Sequence, residues 1–107
     1  MGRMLFFTDY LGRNVRFTDE RIAHILDSHP EMYAQIGNIE ATLKEPEFVI
    51  RSPSDLEVEL VYRRFYDTPV SEKYLCIVVK TRREDAFIIT SYFTNAVKKG
   101  DVLWERK

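Results

Sequence analysis

The stretch Tyr74-Leu75-Cys76-Ile77-Val78-Val79-Lys80-Thr81 is followed, after Arg82-Arg83-Glu84-Asp85, by Ala86-Phe87-Ile88-Ile89-Thr90-Ser91-Tyr92-Phe93-Thr94. Both runs are dense in β-branched and aromatic residues, and a short charged segment joins them, the pattern of two antiparallel strands and a tight turn. Strict alternation sorts their faces. Leu75, Ile77 and Val79 point one way and Tyr74, Cys76, Val78 and Lys80 the other; Phe87, Ile89 and Phe93 oppose Ile88, Thr90, Tyr92 and Thr94. One face is apolar and belongs to the core. The other ends in Lys80, Thr90, Tyr92 and Thr94, one cation and three hydroxyls, which reads either as a solvated sheet face or as an anion site.

Working outward, Leu56 to Tyr66 alternates Leu56, Val58, Leu60 and Tyr62 against Glu57, Glu59 and Arg63, Phe48-Val49-Ile50 is a shorter run, and Thr68-Pro69 marks a turn. Val102-Leu103-Trp104 adds a last strand or an anchor. Upstream the period is helical. Thr18 precedes Asp19-Glu20 as an N-cap followed by first-turn acids, and Ile22, Ile25, Leu26 and His29 follow at i, i+3, i+4 and i+7. This helix runs to about Ser28, because Pro30 disfavours helical geometry at His29 and starts a second helix, striped by Met32, Ile36, Ile39 and Leu43 and ending near Pro46. Residues 1–17 read as a hairpin or an extended arm. The expected fold is α+β, with two N-terminal helices packed on a four-stranded antiparallel sheet, in one domain spanning residues 1–107.

Composition narrows the function classes. With 107 residues, 45% hydrophobic and 31% charged, the chain buries a core without needing disulfides or a structural metal. A formal net charge of −1 gives no global footprint for nucleic acid, so any such binding uses a local patch. Cys76 stands alone in an apolar run, which makes it a packed thiol and fits a reducing compartment. No apolar stretch approaches a membrane helix, and the start is too short for a signal h-region, so a cytoplasmic protein without membrane contact is expected.

His24 and His29 are the only histidines. Five helical residues turn about 500°, which leaves the rings about 140° apart and unable to chelate one metal as an i, i+4 pair does. No metal site and no cofactor are expected. Nor is there a Gly-x-Ser-x-Gly elbow or a Gly-rich phosphate loop. Acid–base chemistry beside positive charge remains, the equipment for cleaving RNA, whose 2′-hydroxyl supplies the nucleophile. His24, His29, Lys80, Tyr92, Arg63 and Arg64 can fill those posts, and Arg51, Arg82, Arg83, Lys98 and Lys99 can track a backbone.

The order of motifs then resembles a known group. Arg21-Ile22-Ala23-His24-Ile25-Leu26-Asp27-Ser28-His29-Pro30-Glu31, Ile39-x-x-Thr42-Leu43-x-x-Pro46 with Val49, Val61-Tyr62-Arg63, Leu75 to Lys80, Phe87 to Thr94 and Lys98-Lys99-Gly100 to Trp104 together resemble the phage-encoded nucleases of the barnase, EndoU, colicin and RelE-like superfold. The resemblance covers residues from about 20 to 104. It implies an RNase-like fold and a metal-independent endoribonuclease or toxin, acting on RNA such as tRNA, with an antitoxin or immunity protein as a possible partner. The residues it carries over are His24, His29, Lys80, Tyr92 and Thr90 as catalytic groups and Thr94 as a substrate contact, and Tyr62, Arg63 and Arg64 are expected to bind substrate beside them. The competing expectation is a non-catalytic protein- or RNA-binding domain that uses the same sheet face.

Overall fold

The computed structural model describes residues 4–66 and 73–106, so the expected Thr68-Pro69 turn lies outside the described residues. Its elements are β1 (Met4–Thr8), β2 (Asn14–Thr18), α1 (Asp19–Ser28), a 3₁₀ turn (Pro30–Met32), α2 (Ile36–Lys44), β3 (Phe48–Arg51), β4 (Val58–Phe65), β5 (Lys73–Arg82), β6 (Asp85–Thr94) and β7 (Val102–Glu105). The strands form one sheet in the order β1-β2-β6-β5-β4-β3-β7. This corrects the expected four-stranded antiparallel sheet. Seven described strands take part, and β2 meets β6 in parallel at the single pair Arg16↔Phe87. The α+β character stands, but β1, β2 and β7 extend the meander on both sides.

Local chemistry accounts for the helices. Thr18 caps α1 by accepting from the Arg21 N–H at 3.2 Å, and Asp19 and Glu20 occupy the first turn. Pro30 ends α1 and opens the 3₁₀ turn, so α2 starts only at Ile36 and not at Pro30. Ile25, Met32, Ile39 and Leu43 then bury against Val61, Leu75, Ile77, Val79 and Ile88 on one sheet face.

The register of β6 departs from simple alternation. Val78 pairs with Thr90 but Val79 with Ile88, so Ile89 is an extra residue opposite no partner, a β-bulge. Upstream of it Ala86 and Ile88 face the helices; downstream Ser91 and Phe93 do. The reading that paired Ile89 with Phe93 therefore fails by one residue, because a bulge flips the faces that follow it. Thr90, Tyr92 and Thr94 keep their place on the helix-free face.

The β1–β2 hairpin does not continue the sheet as a flat extension. Its turn crosses the core to reach strands on the far side: Tyr10 stacks 5.5 Å from the Trp104 ring of β7, and its hydroxyl donates to Glu59 of β4 at 3.0 Å. Arg13 grips the same Glu59 carboxylate with both terminal nitrogens, at 2.8 and 3.2 Å, and holds Asp9 at 2.8 Å. Asp9 accepts in turn from the Leu11 and Arg13 N–H groups, and Gly12 closes the turn at φ +80°, where a side chain would be strained. Glu59 and Asp9 are buried, at 6% and 5% exposure, so their charges depend on Arg13. Removing one partner of such a pair strands a buried charge. Arg13→Ala is expected to lower the unfolding free energy by about 3 kcal/mol in urea titration, and Tyr10→Phe by about 1 kcal/mol.

Candidate functional site

The helix-free face carries a second apolar cluster, in which Ile50, Val58, Leu60, Tyr62 and Cys76 are buried with Tyr74, Val78, Ile89, Tyr92 and Val97 packed against them. Neighbouring strands set this order: Tyr62 pairs with Cys76, and Cys76 with Tyr92. Two phenols thus meet one thiol at mid-sheet, and both are in hydrogen-bonding contact with it. Burial is the main cause that pushes the Cys76 thiol up to about 11 and the Tyr62 phenol up to about 12, and it raises Tyr92 as well. All three stay protonated at neutral pH.

His29 joins this cluster from α1. That helix packs against β6, and the His29 ring, at the helix C-cap, lies 5.8 Å from the Tyr92 ring at an interplanar angle of 32°. The imidazole is one-third exposed, and its Nδ1 lies 3.6 Å from the Glu31 carboxylate. A cation forming on the ring is therefore met by an acid and by the carbonyl end of a helix.

The other sequence-predicted residues distribute themselves differently. His24 stands on the exposed flank of α1, over a shallow hollow of about 90 Å³ shared with Glu20 and Arg21, and its ring is not the one that meets Tyr92. Lys80 shares the face of Tyr92 but pairs with Phe87, four positions along β5 from Cys76, a rise of about 13 Å. There it is bound by Asp55 at 2.7 Å and Glu57 at 3.3 Å, the first of which is the main reason its ammonium is held more firmly protonated. Arg63 faces the helices and donates to the Ala41 and Glu45 carbonyls at 3.4 and 3.3 Å, closing the C-terminus of α2. Tyr62 is fully buried and reaches no ligand directly. Arg64 lies over the Tyr74 ring at 4.8 Å, with a terminal nitrogen 3.3 Å from its hydroxyl, and Thr94 pairs with Tyr74. Thr90, opposite Val78, lies between Tyr92 and the Lys80 end.

The structure thus gathers His29, Tyr92, Thr94, Tyr74 and Arg64 around one end of β5 and β6, and it leaves His24, Lys80 and Arg63 elsewhere. Sequence reasoning missed Glu31 as the neighbour of His29 and Cys76 as the hub between the phenols. The Pro30-Glu31 step was a usable signal for the first. A hollow of about 230 Å³ beside Arg13, Thr81, Arg83 and Asp85 holds, of the residues singled out in the sequence, Arg83 alone and none of the expected catalytic ones. Among the described residues no three His, Cys, Asp or Glu side chains converge as a metal set, and no helix is long and apolar enough to cross a membrane.

The raised thiol pKa has a measurable consequence. Below pH 9 the folded and unfolded thiols are both protonated; between 9 and 11 the unfolded chain releases its proton while the folded one keeps it, so stability falls as pH rises. Cys76→Ala is expected to flatten that decline in denaturation at pH 9–11, leaving the contributions of the raised tyrosines and Lys80 above about pH 10. Compared with protein-family models, with curated proteins and with solved structures, the chain matches none.

Proposed function

We propose that this protein is a metal-independent endoribonuclease with His29 as its acid–base group. The observation that carries the reading is the His29–Tyr92 contact: a partly exposed imidazole, beside a carboxylate, set against an aromatic and hydroxyl-bearing strand end. Imidazole is the side chain that general acid–base catalysis uses most often, and RNA brings its own nucleophile. The 2′-hydroxyl gives its proton to solvent water as its oxygen attacks phosphorus and the bond to the 5′-oxygen breaks; the imidazolium supplies the proton that the leaving 5′-oxygen takes, and a 2′,3′-cyclic phosphate remains. The Glu31 carboxylate lies 3.6 Å from the ring through that transfer. Tyr92, held protonated, offers a face on which a base can stack.

In this reading the two histidines do not divide the work equally. His24 lies on the exposed side of α1 and serves no step at the Tyr92 strand end. Incubating single-stranded RNA with the protein in EDTA checks both points. Wild type and His24→Ala should release cyclic-phosphate ends at comparable rates, and His29→Ala should be slower by about 10²-fold or more. Equal rates for His29→Ala and wild type would remove the assignment.

A further inference from the structure

The connection from β6 to β7 does more than join two strands. β6 and β7 are separated in the sheet by β5, β4 and β3, four strand spacings or about 19 Å, and residues 95–101 alone cover the gap. From Thr94 to Val102 a fully extended chain reaches about 26 Å, so this segment crosses the helix-free face with little slack. Its path is fixed strand by strand. Over β5 and β6, Asn95 accepts from the Lys73 ammonium, and the Thr94 hydroxyl bonds the Ala96 backbone at 3.3 and 3.4 Å. Over β4, Val97 packs into the Tyr62–Cys76–Tyr92 cluster, and the Lys98 N–H donates to the Tyr62 hydroxyl at 3.2 Å. Over β3, Gly100 lies so close that a Cβ there would sit 2.6 Å from the Arg51 carbonyl oxygen, and Asp101 accepts from the Arg51 N–H at 2.9 Å.

Lys98 and Lys99 therefore ride on a strap whose backbone is pinned on both sides of them. Both are exposed, and neither is ion-paired with a described residue. Lys98 is near enough to Cys76 for its charge to be felt at the thiol that touches Tyr92. A pinned pair of ammonium groups costs less to order around a ligand than two lysines on a free loop.

Resting on the ribonuclease reading, we infer that the strap is the phosphate-backbone subsite of the His29–Tyr92 site, that Lys98 and Lys99 contact successive phosphates of a single-stranded RNA, and that Tyr62 is the positioning residue that holds them there. Tyr62 acts through the strap and touches no substrate.

The test uses the full chain and a fluorescent single-stranded 2′-O-methyl RNA oligomer, which lacks the nucleophile and cannot be cleaved, alongside cleavage of unmodified RNA. The double variant Lys98→Ala/Lys99→Ala should bind the oligomer about tenfold more weakly and lower the salt slope of binding by about 1.4, two phosphates at 0.7 each. Lys44→Ala, on α2, should change neither. Tyr62→Phe should raise KM for RNA several-fold with kcat little changed, at a thermal midpoint that confirms folding. Wild-type slope and affinity in the double variant would overturn the strap assignment, even with cleavage intact. Oligomer binding through the two lysines without any RNA turnover would overturn the ribonuclease reading and support the strap. Absence of oligomer binding by the wild type would overturn the strap assignment, and absence of RNA turnover with it would overturn the ribonuclease reading as well.

Discussion

The Glu59 carboxylate is the point on which the architecture turns. It is a buried charge on the helix-facing side of a central strand, a position that an apolar residue would fill at no electrostatic cost. Its presence is tolerable because the β1–β2 turn delivers a guanidinium and a phenol to it, with the bidentate Arg13 contact at 2.8 and 3.2 Å. The pair thereby fixes where the hairpin goes. Burial alone lets Phe7, Val15 and Phe17 sink into the core at several settings of the hairpin; a carboxylate that must meet one particular guanidinium allows one. The Tyr10–Trp104 stack then ties the same turn to β7, so the first and last strands of the sheet are linked across the core.

That closure determines which face remains for chemistry. The hairpin, α1 and α2 all cover one side of β3 to β6, and Arg63, on that side, is drawn into capping α2. What is left opposite is a surface whose centre is too apolar to stand in water: Ile50, Leu60 and Cys76 are nearly inaccessible there. The strap of residues 95–101 lies across this cluster and contributes Val97 to it. Covering a second core and presenting two lysines are thus consequences of one connection. The β6 bulge at Ile89 works in the same direction, since without the extra residue Ser91 and Phe93 would exchange faces with Tyr92, and the strand end would no longer present the Tyr92 phenol beside Cys76.

Local signals in the sequence were enough for the local structure. The Thr18 cap, the acids after it, the break at Pro30 and the faces of β5 follow from rules that act within a few residues, and they hold. Alternation in β6 held only downstream of Ile89, because a bulge is set by pairing with β5 and has no clear mark in Phe87-Ile88-Ile89-Thr90. The extent of the sheet was out of reach for a related reason: the single parallel contact of β2 with β6 and the pairing of β7 with β3 join residues far apart in the chain, and no periodicity encodes such partners. Lys80 shows the same limit at the level of the site. Its strand and face were readable, but the fold-back of Asp55 and Glu57 onto it was not, and these two carboxylates use the charge that the sequence left available.

The fate of the cations sharpens the argument about anion binding in a chain with net charge −1. Arg13, Arg16, Lys80 and Arg82 are spent on carboxylates of this same chain, and Arg63 and Arg106 on backbone carbonyls. Overall charge says little about what remains, because it counts these engaged groups equally with the rest. On the helix-free face the balance differs: Lys98 and Lys99, ion-paired with no described residue, stand on a strap pinned at Tyr62 and Arg51. A polyanion approaching the molecule meets its strongest local attraction where the positive groups are not already neutralised, and at short range this local term outweighs a single net negative charge spread over the surface. In the proposed reading, the position of that patch on the face that carries Tyr92 would bring an anionic substrate to the partly exposed imidazole.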